Sequence, residues 1–403
     1  MGSLRDPRVG MVVQLAVAVL AVTAQAGTRP TVTYRALDLG AGPFEVGIVQ
    51  SAYSVLPALL ALLVGRWVDR LGEVRTYVGA LALMGLGAAA SALADNLLVL
   101  ALSQGLMGIG TTSMLIVGQV MIASRSRPET WSRNYGNYAA AISVGTLIGP
   151  SGAASIQGMP AFGPEPERAV FWTAVGIVLA AAALIVLLPE RRAEPGTAAP
   201  GASEGFGRMV GRIIRQPGVA SAMFVSVVVI STIDVLVAYL PIFGEISGLS
   251  VQLVGLLLSV RAASTLASRL VMTQMVRRLG WGTTLVSSLA MAAAALAVLP
   301  MTTDPWLLIL LMAACGFGIG LGQPMSVTWI ASRTSKADRA TALSVRLGAN
   351  RASLLFVPAV MGAVAGSAGV AAVFVIVALV LEAGAWVTHR ARIETIEPRG
   401  EGG

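Results

Sequence analysis

Long runs of apolar residues alternate with short polar segments along the whole chain. A membrane-crossing α-helix needs about 20 mostly apolar residues, so each run predicts one such helix. The twelve runs lie at 9–33, 44–64, 75–94, 97–123, 134–157, 169–188, 218–240, 250–272, 282–300, 305–331, 340–364 and 368–388. The pattern therefore predicts an all-α membrane protein with twelve transmembrane helices.

A segment rich in proline, glycine and charged residues separates the sixth run from the seventh, with the sequence PERRAEPGTAAPGASEGFGRMVGRIIRQPG. Such a composition is typical of a linker. We therefore expect an N-terminal six-helix bundle at 1–190, a cytoplasmic linker at 191–217 and a C-terminal six-helix bundle at 218–403.

The two halves of the chain repeat each other at a constant offset of 208 residues. VGIVQSAYS at 46–54 corresponds to VGLLLSVRA at 254–262, DRLG at 69–72 to RRLG at 277–280, and Pro150 to Pro358. IASRS and IASRT form a further pair at the same offset. Such a parallel repeat predicts a substrate site near the bilayer midplane, between two halves that move in turn.

Charge is sparse and unevenly placed. Charged residues make up 12% of the 403 residues, whereas a soluble domain averages about 25%. The net charge is +8, but the basic residues fall in alternate loops, and the intervening loops carry mostly acids. This positive-inside pattern places both termini and the linker in the cytoplasm. The net charge therefore indicates topology in a cell inner membrane, and we expect no nucleic-acid partner.

The loop after the second run, GRWVDRLGEVR, is similar to the cytoplasmic signature of the major facilitator superfamily. The signature residues Gly65, Asp69, Arg70 and Gly72 are in place. The resemblance covers essentially the whole chain, and it implies a small-molecule transporter that works as a monomer by alternating access.

The fifth run, GNYAAAISVGTLIGPSGAAS, resembles a motif of the drug–proton antiporters of that superfamily. Gly136, Gly145, Gly149 and Pro150 match, whereas alanines replace its last two glycines. The resemblance implies an exporter. The fourth run departs from that subgroup, because Ala101 stands where an arginine linked to proton coupling is usual.

Asp234 lies in the middle of the seventh run, where a carboxylate costs about 2.5–3.5 kcal/mol on insertion scales. Counting 1.5 Å per residue places Arg261 of the eighth run within one turn of the same depth. We therefore predict that the two side chains pair, and that protonation of Asp234 breaks the pair and couples transport to protons. The alternative is a permanent structural ion pair.

Other polar or aromatic side chains at membrane depth are candidates for a substrate cavity. They are Gln14, Gln25, Arg29, Tyr53, Asn137, Tyr138, Trp329, Asn350 and Arg351. Arg29 has an alternative, which is to reach the outer headgroups. At the cytoplasmic side, the resemblance implies that Asp69 docks on the start of the eleventh helix, and we predict Arg346 as its partner in an inner gate. The alternative is that Arg346 only anchors at the headgroups.

The sequence predicts neither a metal site nor a cofactor, since it has a single cysteine, Cys315, and a single histidine, His389. GFGIGLG in the tenth run lacks the flanks of a phosphate loop, so we interpret it as close helix packing. An enzyme is not expected. The leading hypothesis is proton-coupled efflux of small amphipathic or drug-like compounds. The alternative is facilitated or proton-symported transport of a specific anionic solute or lipid.

Overall fold

A computed structural model describes residues 7–127, 130–163, 165–190, 211–335 and 338–391 of the chain. The described residues form twelve long α-helices. They are α1 (Pro7–Asp38), α2 (Pro43–Leu71), α3 (Glu73–Ala92), α4 (Leu97–Arg125), α5 (Trp131–Gln157), α6 (Pro166–Ile185), α7 (Val219–Ile246), α8 (Val251–Leu279), α9 (Trp281–Val298), α10 (Pro305–Arg333), α11 (Arg339–Ala368) and α12 (Val370–Arg390). The prediction of an all-α architecture is confirmed.

Within the part of the chain that the structure describes, eleven helices are long and apolar enough to cross a membrane. The helices extend beyond several of the apolar runs. For example, α2 continues to Leu71 and α8 to Leu279, through segments rich in charged residues. A helix satisfies its own backbone hydrogen bonds, so it can continue past the apolar region of the bilayer until a turn residue stops it. Gly72 and Gly280, with φ of 92° and 82°, follow these two helices.

One compact unit contains residues 1–197, 237–259 and 358–367. Its core lies between α1, α3, α4 and α6 and includes the buried side chains of Tyr77, Met84 and Met107. This unit therefore joins the first six helices to one end each of α7, α8 and α11.

The other compact unit contains residues 198–236, 260–357 and 368–403. In it α9 packs against α10 and α12. The glycines of GFGIGLG face three neighbouring helices, because a β-carbon on Gly316 would overlap α8, one on Gly318 would overlap α9 and one on Gly322 would contact Val229 of α7. This arrangement agrees with the interpretation of that run as close packing.

The internal repeat reappears in the details of helix geometry. The side chain of Asn96 accepts a hydrogen bond from the amide of Val99 at the start of α4, at 2.9 Å. Asp304 does the same for Leu307 at the start of α10, at 2.8 Å. Both are N-caps, which satisfy amides that have no partner within the helix, and they are 208 residues apart.

Close helix packing is repeated in the same way. A β-carbon on Gly108 of α4 would overlap the carbonyl oxygen of Tyr53 in α2, and one on Gly316 of α10 would overlap that of Arg261 in α8. Each glycine thus allows two helix backbones to touch, which small residues make possible in lipid.

We expect Gly108→Ala to destabilise the protein by about 1–3 kcal/mol, because the added methyl group forces α2 and α4 apart. Thermal unfolding in detergent measures this as a lower midpoint. The control is Gly79→Ala on α3, where a β-carbon would have no neighbour within 4 Å. Equal midpoints for the two variants would show that the contact between α2 and α4 does not limit stability.

Candidate functional site

Within the first unit, α2 meets α11 at a glycine and a proline. The backbone of Gly47 lies against the carbonyl oxygen of Pro358, and a β-carbon there would also lie 2.7 Å from the hydroxyl of Tyr239. That hydroxyl donates a short hydrogen bond to the same Pro358 oxygen. Pro358 lies inside α11 and Pro150 inside α5, and both helices continue past their prolines.

The crossing of α5 and α8 repeats this arrangement in the same unit. A β-carbon on Gly255 would lie 2.7 Å from the carbonyl oxygen of Pro150. One residue further along, the hydroxyl of Ser151 donates to that of Ser259 at 2.7 Å. We call these residues, Gly47, Pro150, Ser151, Tyr239, Gly255, Ser259 and Pro358, the Gly–Pro contact zone. It joins one end of each of α7, α8 and α11 to helices of the first half.

The same type of contact occurs twice in the zone. Gly47 and Gly255 correspond to each other in the internal repeat, and so do Pro150 and Pro358. Both repeats are evident in the sequence, but the contact between the two residue pairs is not. A glycine and a proline that both recur at one offset are the signal from which the contact could have been predicted.

Asp234 lies in the second unit, half-buried on α7. It stands 15 residues after the start of the helix and 12 before its end. At 1.5 Å per residue these distances are about 22 and 18 Å, so the carboxylate lies near the middle of the span. The depth of Asp234 in a bilayer stays a prediction.

Arg261, in the same unit, is 4% exposed and lies where α8 crosses α10. Its backbone lies against Gly316, and its Nε has no hydrogen-bond partner among the described residues. The pairing of Arg261 with Asp234 stays a prediction.

Arg29 and Tyr53, two of the predicted cavity residues, come together in the first unit. The guanidinium of Arg29 lies 4.3 Å from the centre of the Tyr53 ring, a cation–π contact. Gln50 donates to the backbone oxygen of Arg29 at 3.1 Å and to the hydroxyl of Thr33 at 3.0 Å. Arg29 is only 4% exposed.

In the fifth helix, two glycines and a proline contact two neighbouring helices. A β-carbon on Gly145 would lie 2.8 Å from the carbonyl oxygen of Val19, and one on Gly149 would lie 2.8 Å from that of Thr23. These two glycines hold α5 against α1, whereas Pro150 faces α8. A β-carbon on Gly136 would have no neighbour within 4 Å. The motif therefore forms a backbone-to-backbone joint between α1 and α5.

The predicted inner-gate residues are only partly within the described part of the chain, which excludes the side chains of Gly65 and Asp69. Arg70 is exposed at the end of α2. Gly72 lies against the carboxylate of Glu190, which accepts hydrogen bonds from the amides of Val74 and Arg75, the first of them at 3.0 Å. Glu190 thereby caps α3, a role that spacing in the sequence does not reveal.

Arg346, predicted as the partner of Asp69, donates to the side-chain oxygen of Gln323 in the second unit. Asn350, one turn further along α11, accepts a hydrogen bond from Ser226 at 3.1 Å. Arg351 next to it is half-buried. The latch between Asp69 and Arg346 stays a prediction.

The other predicted cavity residues divide by burial. Gln14 is fully buried and donates to the backbone of Gly118 at 2.7 Å. Tyr138 is 2% exposed against the same glycine, and Trp329 is fully buried, its ring edge-on to Trp281. Gln14 and Tyr138 fill space between helices of the first unit, and Trp329 does so in the second. Gln25 is half-buried and Asn137 exposed. Sequence does not reveal which side of a buried helix a polar residue faces, so their place in a cavity stays a prediction.

Within the described residues, no group of three histidine, cysteine or acidic side chains could hold a metal ion. The one cysteine, Cys315, is buried beside Arg261.

A family model described as Major Facilitator Superfamily matches residues 15–306 and 253–401 of the chain. Together the two matches cover nearly the whole sequence. None of the curated proteins compared with the sequence is a significant match.

Solved structures with a similar fold are transporters of low sequence identity. The nucleoside transporter NupG, in a mutant form, has a TM-score of 0.81 and 14% identity, over 95% of this chain and 99% of that one. The peptide transporter POT, in a mutant form with sulfate, has a TM-score of 0.74 and 14% identity, over 94% of both chains. A bacterial homolog of the human lysosomal transporter Spinster has a TM-score of 0.73 and 16% identity, over 97% and 98%. At such identities the likeness establishes the fold.

The Ser151–Ser259 contact allows a direct test of the zone. We expect the double variant Ser151→Cys, Ser259→Cys, in a Cys315→Ala background, to form a disulfide on mild oxidation. The two hydroxyls are 2.7 Å apart, close to the separation that a disulfide requires. Shifted mobility on a denaturing gel, reversed by reductant, measures the yield.

The control pairs Ser259→Cys with Ser143→Cys, which lies two turns, about 12 Å, from Ser151 along α5. A yield from the Ser151 pair no higher than from this control would contradict the contact.

Proposed function

Because this chain belongs to the Major Facilitator Superfamily, we propose that it exports small amphipathic compounds across the cell inner membrane by alternating access, driven by inward proton flow. Membership in this family makes the chain a membrane transporter rather than an enzyme. Two proteins of similar fold are named as a nucleoside transporter and a peptide transporter, so their solutes are small. The proton coupling, the direction of transport and the class of compound are the proposal.

One observation carries the proposal: Asp234 and Arg261 lie on α7 and α8, the helices that also carry Tyr239 and Ser259 of the Gly–Pro contact zone. Asp234 precedes Tyr239 by five residues on α7, and Arg261 follows Ser259 by two residues on α8. At 1.5 Å per residue these distances are about 8 and 3 Å along the helix axes. A change of charge at Asp234 therefore acts on the helix turn next to a residue that holds α7 to its neighbours.

The physical basis of coupling is the cost of an ionised carboxylate in hydrocarbon, about 2.5–3.5 kcal/mol at a helix centre on insertion scales. Protonation removes the charge, and with it any attraction to a nearby guanidinium such as that of Arg261. A proton at Asp234 therefore stabilises a different arrangement of α7 from that of the ionised form. A ligand shifts such an equilibrium only by the difference between its affinities for the two states. When the ligand is a proton, this means that the pKa of Asp234 differs between the two arrangements of α7.

The fifth helix supports export rather than import. Gly145, Gly149 and Pro150 resemble the antiporter motif, and they form the joint between α1 and α5 and one of the two crossings of the zone. The arginine usual in the fourth helix is absent at Ala101. We therefore assign proton coupling to Asp234, with Arg261 as its partner, instead of to the fourth helix.

The second candidate is transport of an anionic solute, in which Asp234 serves only structure. It is favoured by Arg261, a buried guanidinium whose Nε has no hydrogen-bond partner among the described residues. A buried cation with donors to spare is suited to an anion.

The test uses purified protein in liposomes that contain a pH-sensitive dye, with a panel of cationic, neutral and anionic amphiphiles. We expect a cationic or neutral compound to drive proton movement with the wild type. With Asp234→Asn we expect proton movement at the rate of empty liposomes and continued exchange of the compound, because the variant cannot change its charge.

The matched control is Glu245→Gln, which removes an exposed acid at the end of the same helix and should leave proton movement unchanged. If no compound moves protons and an anion exchanges equally in wild type and Asp234→Asn, the second candidate replaces the first.

A further inference from the structure

A cavity of about 320 Å³ lies in the second unit between α8, α10 and α11. Its walls carry two arginines, one glutamine and three apolar side chains: Arg269, Arg346, Gln323, Met272, Pro324 and Val327. Arg269 lies 10 residues before the end of α8 and Arg346 lies 7 residues after the start of α11. At 1.5 Å per residue both are about 10–15 Å inside the arginine-rich ends of their helices.

Both guanidinium groups are held in place by neutral partners. Arg346 donates to the side-chain oxygen of Gln323, whose amide nitrogen donates to the backbone of Ser226 at 2.8 Å. The Nε of Arg269 donates to the backbone of Gly320 at 3.3 Å. A guanidinium has five N–H donors, so most of the donors of both arginines remain for another acceptor. Arg346 is 9% exposed, and its Nε has no partner among the described residues.

The cavity has no described counter-charge. None of its six lining residues is acidic. Several other arginines among the described residues form ion pairs, among them Arg35, Arg75, Arg125, Arg168 and Arg212. Charged side chains within membrane-spanning segments are costly and are almost always paired. Two such cations facing one cavity repel each other unless an anion lies between them.

We propose that this cavity binds an anionic group, a carboxylate or a phosphate, between Arg269 and Arg346. Two arginine forks match the oxygen geometry of these groups and can each bind two oxygens. Met272, Pro324 and Val327 form an apolar wall for the remainder of the ligand. The anion is either part of a soluble compound or the headgroup of a phospholipid. The site does not depend on Asp234, so it stands whether or not the chain is a proton-coupled exporter.

The experiment measures thermal unfolding of the purified full chain at low ionic strength. One arm adds sodium benzoate or inorganic phosphate in neutral detergent. The other arm compares nanodiscs of phosphatidylcholine with nanodiscs that contain phosphatidylglycerol. A ligand that binds only the folded state raises the unfolding midpoint as its concentration exceeds its dissociation constant. A saturable rise with benzoate or phosphate identifies a soluble anion, and a rise confined to phosphatidylglycerol identifies a lipid headgroup.

Arg269→Gln and Arg346→Gln should each lower the affinity for the anion that raises the midpoint by about tenfold or more. This is the size expected for lost charged hydrogen bonds. Arg278→Gln is the matched control, since it removes an exposed arginine from the same helix as Arg269. If Arg346→Gln does not fold, Arg346→Lys keeps the charge without the fork and should weaken binding less than Arg269→Gln.

The proposal is overturned if no anion raises the midpoint of the wild type, or if the rise persists in the Arg269 and Arg346 variants. An equal loss in Arg278→Gln would also overturn it, because the effect would then be one of overall charge.

Discussion

Direct contact between helix backbones at glycine residues is the interaction on which the rest of the structure depends. Lipid chains are as apolar as leucine, so helices in a bilayer associate through packing and polar contacts rather than through burial of apolar surface. In each unit a glycine on one helix lies directly against a carbonyl oxygen on another, as with Gly108 on Tyr53 and Gly316 on Arg261. Where α5 meets α1, Gly149 faces Gly27 in the same way. A methyl group at any of these points would force the helices apart.

Because the chain contains an internal repeat, one type of packing contact occurs at two positions. One glycine-on-proline contact occurs twice, as Gly47 on Pro358 and Gly255 on Pro150, and it ties the ends of α8 and α11 to the first half. In the account proposed here, a change of charge at Asp234 acts on these contacts along α7, which also carries Tyr239 of the zone.

The periodicity of the sequence predicts the helices well, since twelve apolar runs correspond to twelve described helices. It fails at helix ends, where α2 and α8 continue into charged segments, because hydropathy reports the bilayer core and not the length of the helix. The site was predictable in part. The positions of Gly145, Gly149 and Pro150 in α5 follow from spacing in the sequence, but the helices that they contact do not. The packing of Tyr138 and Trp329, and the cap that Glu190 provides for α3, depend on which helices become neighbours, and one sequence does not contain that information.

The central claim is that the charge of Asp234 controls the Gly–Pro contact zone. The most direct test is a distance measurement by pulsed electron paramagnetic resonance. The two spin labels are placed at Met159 and Ser250, which are exposed and lie near the ends of α5 and α8. The account predicts that the distance distribution changes with pH in the wild type and is independent of pH in Asp234→Asn. The same pH dependence in both proteins, or none in the wild type, would contradict it.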